Sequence, residues 1–496
     1  MGRVICAAAA ATLAALALAA PAMPSPLMKI GVVDDAQLQL PPAQRERVVA
    51  AWRAQGVDEA RVSLVWEEIA PNAASISRPA GFIARDPRSK GYNWSASDEA
   101  VAALSGAGIG IALSITTPGP IWASSVPSRR EPTYKPKQGE FADFVHAAVS
   151  RYGARVTRYT LINEPNQWQS LTPQWSCPTA NQSSCTASSP ALYRDLFRAA
   201  YEQIKLLQPQ AIVAAGSLAP TASSERAATH SAIAPLLFLR RFGCVEIDYS
   251  IDKSNSGCSS FKAVKLDAVA HHPSSPLSSV ASENEQDESV TITTISRLTA
   301  ALDKLQSRGR ILNGSAIVAD QSKRPLDLYV DQYGVQTNPP DLWFGSSLQD
   351  QAELYQRAAY AMWKNPRVAL FGQLLWRDQS ADAPSSGIGS WQSGLYFADG
   401  RAKPSAAAFS APFWVDLPSR STVAKLWGQV RPGTVSKVTV QSRLLSTGRY
   451  KSIATLTTDS AGYFSLSAKL KQPTSFRFTY GTGGNKSSAS RSVRPH

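Results

Sequence analysis

Histidine and cysteine are scarce, with five of each in 496 residues. So few histidines leave little for a histidine-rich metal centre. No cysteine pair has CxxC spacing with a histidine to complete a zinc site. The chain has no Gly-rich phosphate loop, no HExxH and no GxSxG, and no cofactor or metal is implied. Beyond the first two dozen residues no run is apolar and long enough to span a bilayer. Acid is nearly missing from the C-terminal stretch: residues 417–496 hold 13 Lys or Arg against one carboxylate, Asp459, a surplus of 12 out of a net +14. The preceding residues are therefore close to neutral. The tail's basic residues form no known nucleic-acid-binding motif, and no nucleic-acid partner is expected.

What is present begins with a leader. Arg3, an Ala/Leu run and Ala20-Pro21-Ala22 read as a basic segment, an apolar segment and a small-residue cleavage site, so residues 1–22 are expected to be a secretory signal peptide. The Ala-rich leader suggests a bacterial, extracellular protein. Cys6 lies within it, which leaves Cys177, Cys185, Cys244 and Cys258. Three pairings are open to four cysteines in an exported chain. Cys177 with Cys185 and Cys244 with Cys258 is favoured, because each pair brackets a polar loop that a bridge would restrain.

Short apolar runs then alternate with helical patterns. Strands are expected at 29–35, 60–66, 108–117, 156–166, 211–220, 265–273, 325–334 and 368–376. Stretches such as ALYRDLFRAAYEQIKLLQP carry apolar residues at helical spacing, and LQDQAELYQRAAYAMWKNP ends at Pro366. Eight such units over residues 28–412 argue for an α/β fold, a (β/α)8 TIM barrel. Residues 413–421 read as a linker, and residues 420–496 alternate apolar and polar at period two, as a small all-β sandwich domain would.

Barrel enzymes place reactive groups at the C-terminal ends of their strands. The fourth expected strand ends in Asn163-Glu164-Pro165-Asn166. A carboxyl group there can donate a proton to a glycosidic oxygen, and Asn163 can hydrogen-bond a sugar hydroxyl. This motif at this place resembles the retaining β-glycosidase clan of TIM-barrel glycoside hydrolases, which includes cellulases and β-xylosidases. Further fragments over roughly residues 29–411 resemble the clan: Arg61 on the second strand, the Thr117–Ala123 run with Trp122, His271-His272-Pro273 ending the sixth strand, Trp376 ending the eighth, and Ser393-Gly394-Leu395 followed by Asp399-Gly400 and Lys403-Pro404. The resemblance implies that Glu164 is the acid/base, that Arg61 organises charge beside the nucleophile, and that Trp376 floors the sugar. One of the two histidines must face away, and His272 is preferred as the substrate-side residue. Trp122 can stack on a sugar or pack in the core.

One position departs from the clan. Retaining enzymes need a second carboxylate about 5–5.5 Å from the first, and the clan keeps a glutamate at the end of the seventh strand. Here the residues are Asp331-Gln332-Tyr333-Gly334, with Gln332 at the nucleophile position. Asp331 can serve if a bulge re-aims it. Asp378, Glu67 or Glu68 can replace it, or the barrel binds glycan without cleaving it. The expected function is cleavage of a β-linked glycan by acid/base catalysis, with a non-catalytic glycan binder as the alternative. The basic tail module either packs on the barrel as a spacer or binds an anionic cell-wall polymer.

Overall fold

Eight parallel strands close on themselves in the computed structural model: β1 (Lys29–Val33), β2 (Glu59–Val65), β3 (Gly110–Thr116), β4 (Arg158–Leu161), β5 (Ile212–Leu218), β6 (Ala268–His271), β7 (Asp327–Tyr333) and β8 (Val368–Leu374), with β8 pairing back onto β1. The structure describes residues 27–178, 185–223, 230–253, 256–273, 288–315, 324–342, 345–380, 390–446 and 448–495. The expected leader, residues 1–22, lies outside them. No helix among the described residues is long and apolar enough to cross a membrane.

Helices surround the barrel: α1 (Pro42–Ala54), α2 (Ser95–Gly106), α3 (Gln138–Tyr152), α4 (Ser189–Leu207), α5 (Pro235–Phe242), α6 (Ile295–Ser307), α7 (Leu348–Lys364) and α8 (Pro404–Ser410). Helix α4 shows why they form. Tyr193, Leu196, Phe197, Ala200, Tyr201 and Ile204 recur every three or four residues and are all buried. Each large apolar side chain so covered contributes about 1.5–3 kcal/mol. The hydroxyl of Tyr193 donates to the carbonyl of Leu161 at the end of β4 and accepts from the Gly216 N–H on β5, which ties the helix to two strand ends. Helix α7 starts at Ser347, whose hydroxyl accepts from the Asp350 N–H.

The barrel interior is unusual in carrying charge. Ala214, Ala268 and Ala270 line it with small side chains beside Tyr329 and Leu370. That leaves room for Arg158, whose guanidinium lies 4.5 Å from the centre of the Tyr329 ring and pairs with Glu59 at 2.7 Å. Both expected disulfides are formed, Cys177–Cys185 and Cys244–Cys258.

Two antiparallel sheets follow. The first contains β9 (Phe413–Asp416), β10 (Val423–Gln429) and β13 (Tyr463–Lys469). The second contains β11 (Lys437–Leu444), β12 (Lys451–Thr457), β14 (Thr474–Tyr480), β15 (Lys486–Ser487) and β16 (Arg491–Val493). They pack face to face: Phe413, Leu426 and Phe464 from one meet Val440, Phe476 and Phe478 from the other, with Phe464 and Phe478 rings 4.9 Å apart. Phe413–Asp416, expected as linker, is a strand of the first sheet. Its alternation is only four residues long, too short to stand out from a connector.

The outer face of the first sheet is fixed to the barrel. Trp427 lies 5.7 Å from Tyr360 and 5.8 Å from Trp363 of α7, and Tyr463 stacks on Trp427 while donating to the carbonyl of Met28. Arg431 reaches the Tyr355 hydroxyl at 2.9 Å. Since Trp427 is almost fully buried in this joint, Trp427→Ala should lower stability by about 3–5 kcal/mol, read as a lower urea midpoint. An unchanged midpoint would show that the contact contributes nothing.

Candidate functional site

The site begins where β4 ends. Ile162 and Glu164 both adopt left-handed backbone angles, φ 60° and 50°, which cost energy for residues other than glycine and cluster at functional sites. The turn is held from three sides: Ile162 N–H donates to Ile115 O, Asn163 N–H to Thr116 Oγ1, and Glu164 N–H to Ser217 O. Below it, buried Asn166 joins Ala219 and Ile233 by three hydrogen bonds. Glu164 is thereby turned into the barrel mouth, with its side chain 28% exposed.

Four of the expected residues meet Glu164 there. His272 Nδ1 lies 2.7 Å from Glu164 Oε1. Arg61 Nη1 is 3.2 Å from Asn163 Oδ1 and 3.2 Å from His272 Nε2, and Nη2 donates to Gln332 Oε1 at 3.1 Å. His271 points the other way, its Nε2 on the Val290 carbonyl, and burial pushes its pKa down to about 4.

The pairing of β7 with β8 decides what stands opposite. Val330 pairs with Phe371 and Tyr333 with Gln373, so Asp331 and Gln332 together oppose Gly372. This is a bulge. A Cβ at Gly372 would stand 2.7 Å from the Asp331 carbonyl oxygen, so a larger residue would clash with the bulged strand. Asp331 keeps the inward parity of Tyr329, and the bulge swings Gln332 inward beside it. The result differs from simple alternation, in which only one of the two would face the mouth.

Asp331 is inward but deep. Its side chain is 1% exposed, accepts from Ser217 Oγ at 3.0 Å, and lies 3.3 Å from His272 Nε2, 3.7 Å from Arg61 and 3.9 Å from Arg158. Burial alone would raise its pKa. The hydrogen bond from His272 and the charges of His272, Arg61 and Arg158 outweigh burial and hold it well below the usual carboxylate range. For His272 burial works downward, and the hydrogen bonds to Asp331 and Glu164 raise it above its ordinary value. The charged imidazole is thus favoured, with Nδ1 2.7 Å from Glu164 Oε1 and Nε2 lying between Asp331 Oδ1 at 3.3 Å and Arg61 Nη1 at 3.2 Å. The imidazole stands between the two carboxylates, 2.7 Å from Glu164 and 3.3 Å from Asp331, so they do not face each other across an open cleft as a retaining pair does.

Other expected residues lie elsewhere. Trp376 is 4% exposed and packs on Trp52, Tyr396 and Phe409, outside the mouth. Leu375 takes φ 64° and the Trp376 N–H is tied to Asp34 Oδ2, which throws the ring outward. Trp122 is buried against Trp66 and Phe82, and its indole N–H donates to Pro71 O. It is core packing. Asp378 is buried in an ion pair with Lys403 at 2.8 Å and offers no free carboxylate. Glu67 and Glu68 sit on a single helical turn, Trp66–Ile69, after β2. Burial and then neighbouring acids raise both: Glu68 acts on Glu67, and Asp35 on Glu68.

The sequence reading missed Trp168, four residues beyond Glu164. Its ring is 42% exposed and meets His230 edge-on at 5.2 Å. It also missed Ser217 and Arg158, which contact Asp331, and Glu59, which pairs with Arg158. An aromatic so close to the motif was a usable signal; the interior charges gave none.

No protein-family model matches the chain. A search of curated proteins finds no match either. Among solved structures the chain is similar to a glucosidase from Croceicoccus marinus (12% identity, 91% of this chain and 95% of that one, TM-score 0.47). It is also similar to the endo-beta-1,4-mannanase from Thermotoga petrophila (11% identity, 95% and 98%, TM-score 0.41). A third is the protein named GH5_18 from Streptomyces cattleya, in complex with GlcNAc (13% identity, 78% and 79%, TM-score 0.48). The barrel itself rests on the chain's own closed strand order.

Because His272 is raised, its ion pairs stabilise the fold fully below pH 6.5, its unperturbed value, and that stability is lost as pH rises through the higher folded value. His271, lowered, contributes in the opposite sense and is common to both proteins in a comparison. The stability of the wild type over His272→Gln should therefore shrink as pH rises above 6.5. Parallel curves from urea denaturation at several pH values would contradict the raised imidazole.

Proposed function

We propose that the chain is an exported glycoside hydrolase that cleaves a β-linked glycan with Glu164 as general acid. The observation that supports this reading above others is the placement of Glu164: a part-exposed carboxylate at the C-terminal end of β4, turned into the mouth by a strained and heavily hydrogen-bonded loop. Positioned acids of this kind contribute roughly 10²–10⁴-fold to rate. Asn163 and Gln332, both anchored by Arg61, are the groups that would hold sugar hydroxyls. The proton shared by His272 Nδ1 and Glu164 Oε1, 2.7 Å apart, passes through Glu164 to the leaving oxygen; a water molecule forms the new bond to the anomeric carbon, and the proton it releases restores the His272–Glu164 pair, whose charged imidazole Asp331 favours. Asp331 acts through His272 and does not touch the sugar.

The second reading is a barrel that binds glycan without cleaving it. It is favoured by Gln332, an amide where a nucleophile would stand, with its oxygen already committed to Arg61.

An activity screen on aryl β-glycosides and polysaccharides separates the two. Turnover should fall by at least about 10²-fold in Glu164→Gln. Sugar binding retained by both proteins with no turnover in either would favour the binder. A companion variant, Gln332→Glu, restores a carboxylate beside Arg61. It should raise turnover several-fold and give product with retained anomeric configuration, followed by NMR. Inverted product from that variant would show that position 332 does not reach the anomeric carbon.

A further inference from the structure

The second sheet of the C-terminal module has one face in the module core and one directed away from the barrel, because the first sheet occupies the joint with α7. On the outward face of β11 and β14, Gln441 is paired with Arg477 and Arg443 with Ser475. Tyr450 lies over this part of the sheet. The Arg477 guanidinium is 4.1 Å from its ring centre and that of Arg443 is 5.2 Å away. The Tyr450 hydroxyl is 3.0 Å from Ser475 Oγ, and Arg477 Nε donates to Gln441 Oε1 at 2.8 Å.

Two guanidiniums are thus gathered around one ring, with no carboxylate paired to either among the described residues. Both side-chain acids of the module are committed elsewhere: Asp416 faces Lys364 and the Tyr360 hydroxyl of α7, and Asp459 accepts in a turn from the N–H groups of Ala461 and Tyr463. Arg491 finds its carboxylate on the barrel, Glu353. Arg443 and Arg477 have no ion-pair partner among the described residues. Burial alone would raise the Tyr450 phenol, yet hydrogen bonds to Ser475, Arg443 and Ser490 reverse this and lower it. Two guanidiniums held at one ring repel each other, and an anion bound between them relieves that repulsion. A guanidinium fork matches a carboxylate in two hydrogen bonds. Thr439, Gln441 and Thr479 make the surrounding surface a hydroxyl- and amide-bearing one that suits a sugar chain.

We propose that this face is a second glycan site, in which Arg443 and Arg477 bind the carboxylates of a uronate-bearing polysaccharide. It is separate from the barrel mouth and does not depend on turnover there.

Affinity electrophoresis of the mature full-length protein through gels containing polygalacturonate tests this, with dextran as the neutral polymer and inorganic polyphosphate as the non-sugar anion. Retardation is expected with polygalacturonate, not with dextran, and should weaken as salt rises. Arg443→Gln with Arg477→Gln should weaken binding at least tenfold. Lys469→Gln with Lys471→Gln, which removes the same charge from the other sheet, should change it less than twofold. Arg443→Lys with Arg477→Lys keeps the charge but not the fork and should also bind more weakly, which covers a misfolded glutamine variant. Glu164→Gln should bind as the wild type does, so failure of the catalytic proposal would leave this result standing. Equal losses in the arginine and lysine glutamine variants, or polyphosphate bound as tightly as polygalacturonate, would overturn the site in favour of unspecific charge attraction.

Discussion

A column of buried charge runs up the barrel axis, and the site depends on it. Glu59 neutralises Arg158, Arg158 and Arg61 hold Asp331 ionised, Asp331 keeps His272 protonated, and His272 meets Glu164 at the mouth. Apart from part-exposed Glu164, no member is stable alone in so dry a place. Removing one partner of such a set leaves its neighbour as an uncompensated charge, which typically costs about 3–5 kcal/mol. The column therefore explains both the orientation of Glu164 and the small side chains around it. Ala214, Ala268 and Ala270 occupy positions where larger residues would displace Arg158 and Tyr329.

Local backbone irregularity does the rest of the positioning. The bulge at Asp331 and Gln332 lets one strand present two side chains to the interior, and it requires Gly372 on the neighbouring strand. The left-handed angles at Ile162 and Glu164 bring a carboxylate back over the barrel at a point where an ordinary strand would continue upward. Both features sit at the site, and both depart from ideal geometry while β2, β3 and β4 keep a regular parallel register.

The elements most legible in the sequence were those set by periodicity. All eight barrel strands overlap the apolar runs that announced them, and α4 follows its three-to-four spacing. Glu164 could be read because a motif and a strand end coincide. Asp331 could not be placed in depth, because alternation assumes one residue per step and the bulge breaks that count. Trp376 and Trp122 stand at strand-end or loop positions that suggest a sugar platform, but tertiary packing turned them into the core. Arg158 and Glu59 were invisible for a simpler reason: a charged residue at the start of a strand reads as solvent-facing, and only closure of the sheet places it inside.

The joint between the module and α7 has a mechanical meaning. Trp427 and Tyr463 wedge against Tyr360 and Trp363, while the Tyr360 hydroxyl reaches Asp416 at 2.8 Å on the first strand of the module. Nothing in this seam resembles a slack tether. The module is an outrigger, and its free face keeps one bearing relative to the barrel mouth. A polymer held there would have its direction of approach set by the joint, and only chains long enough to round the flank of the molecule would engage both ends at once.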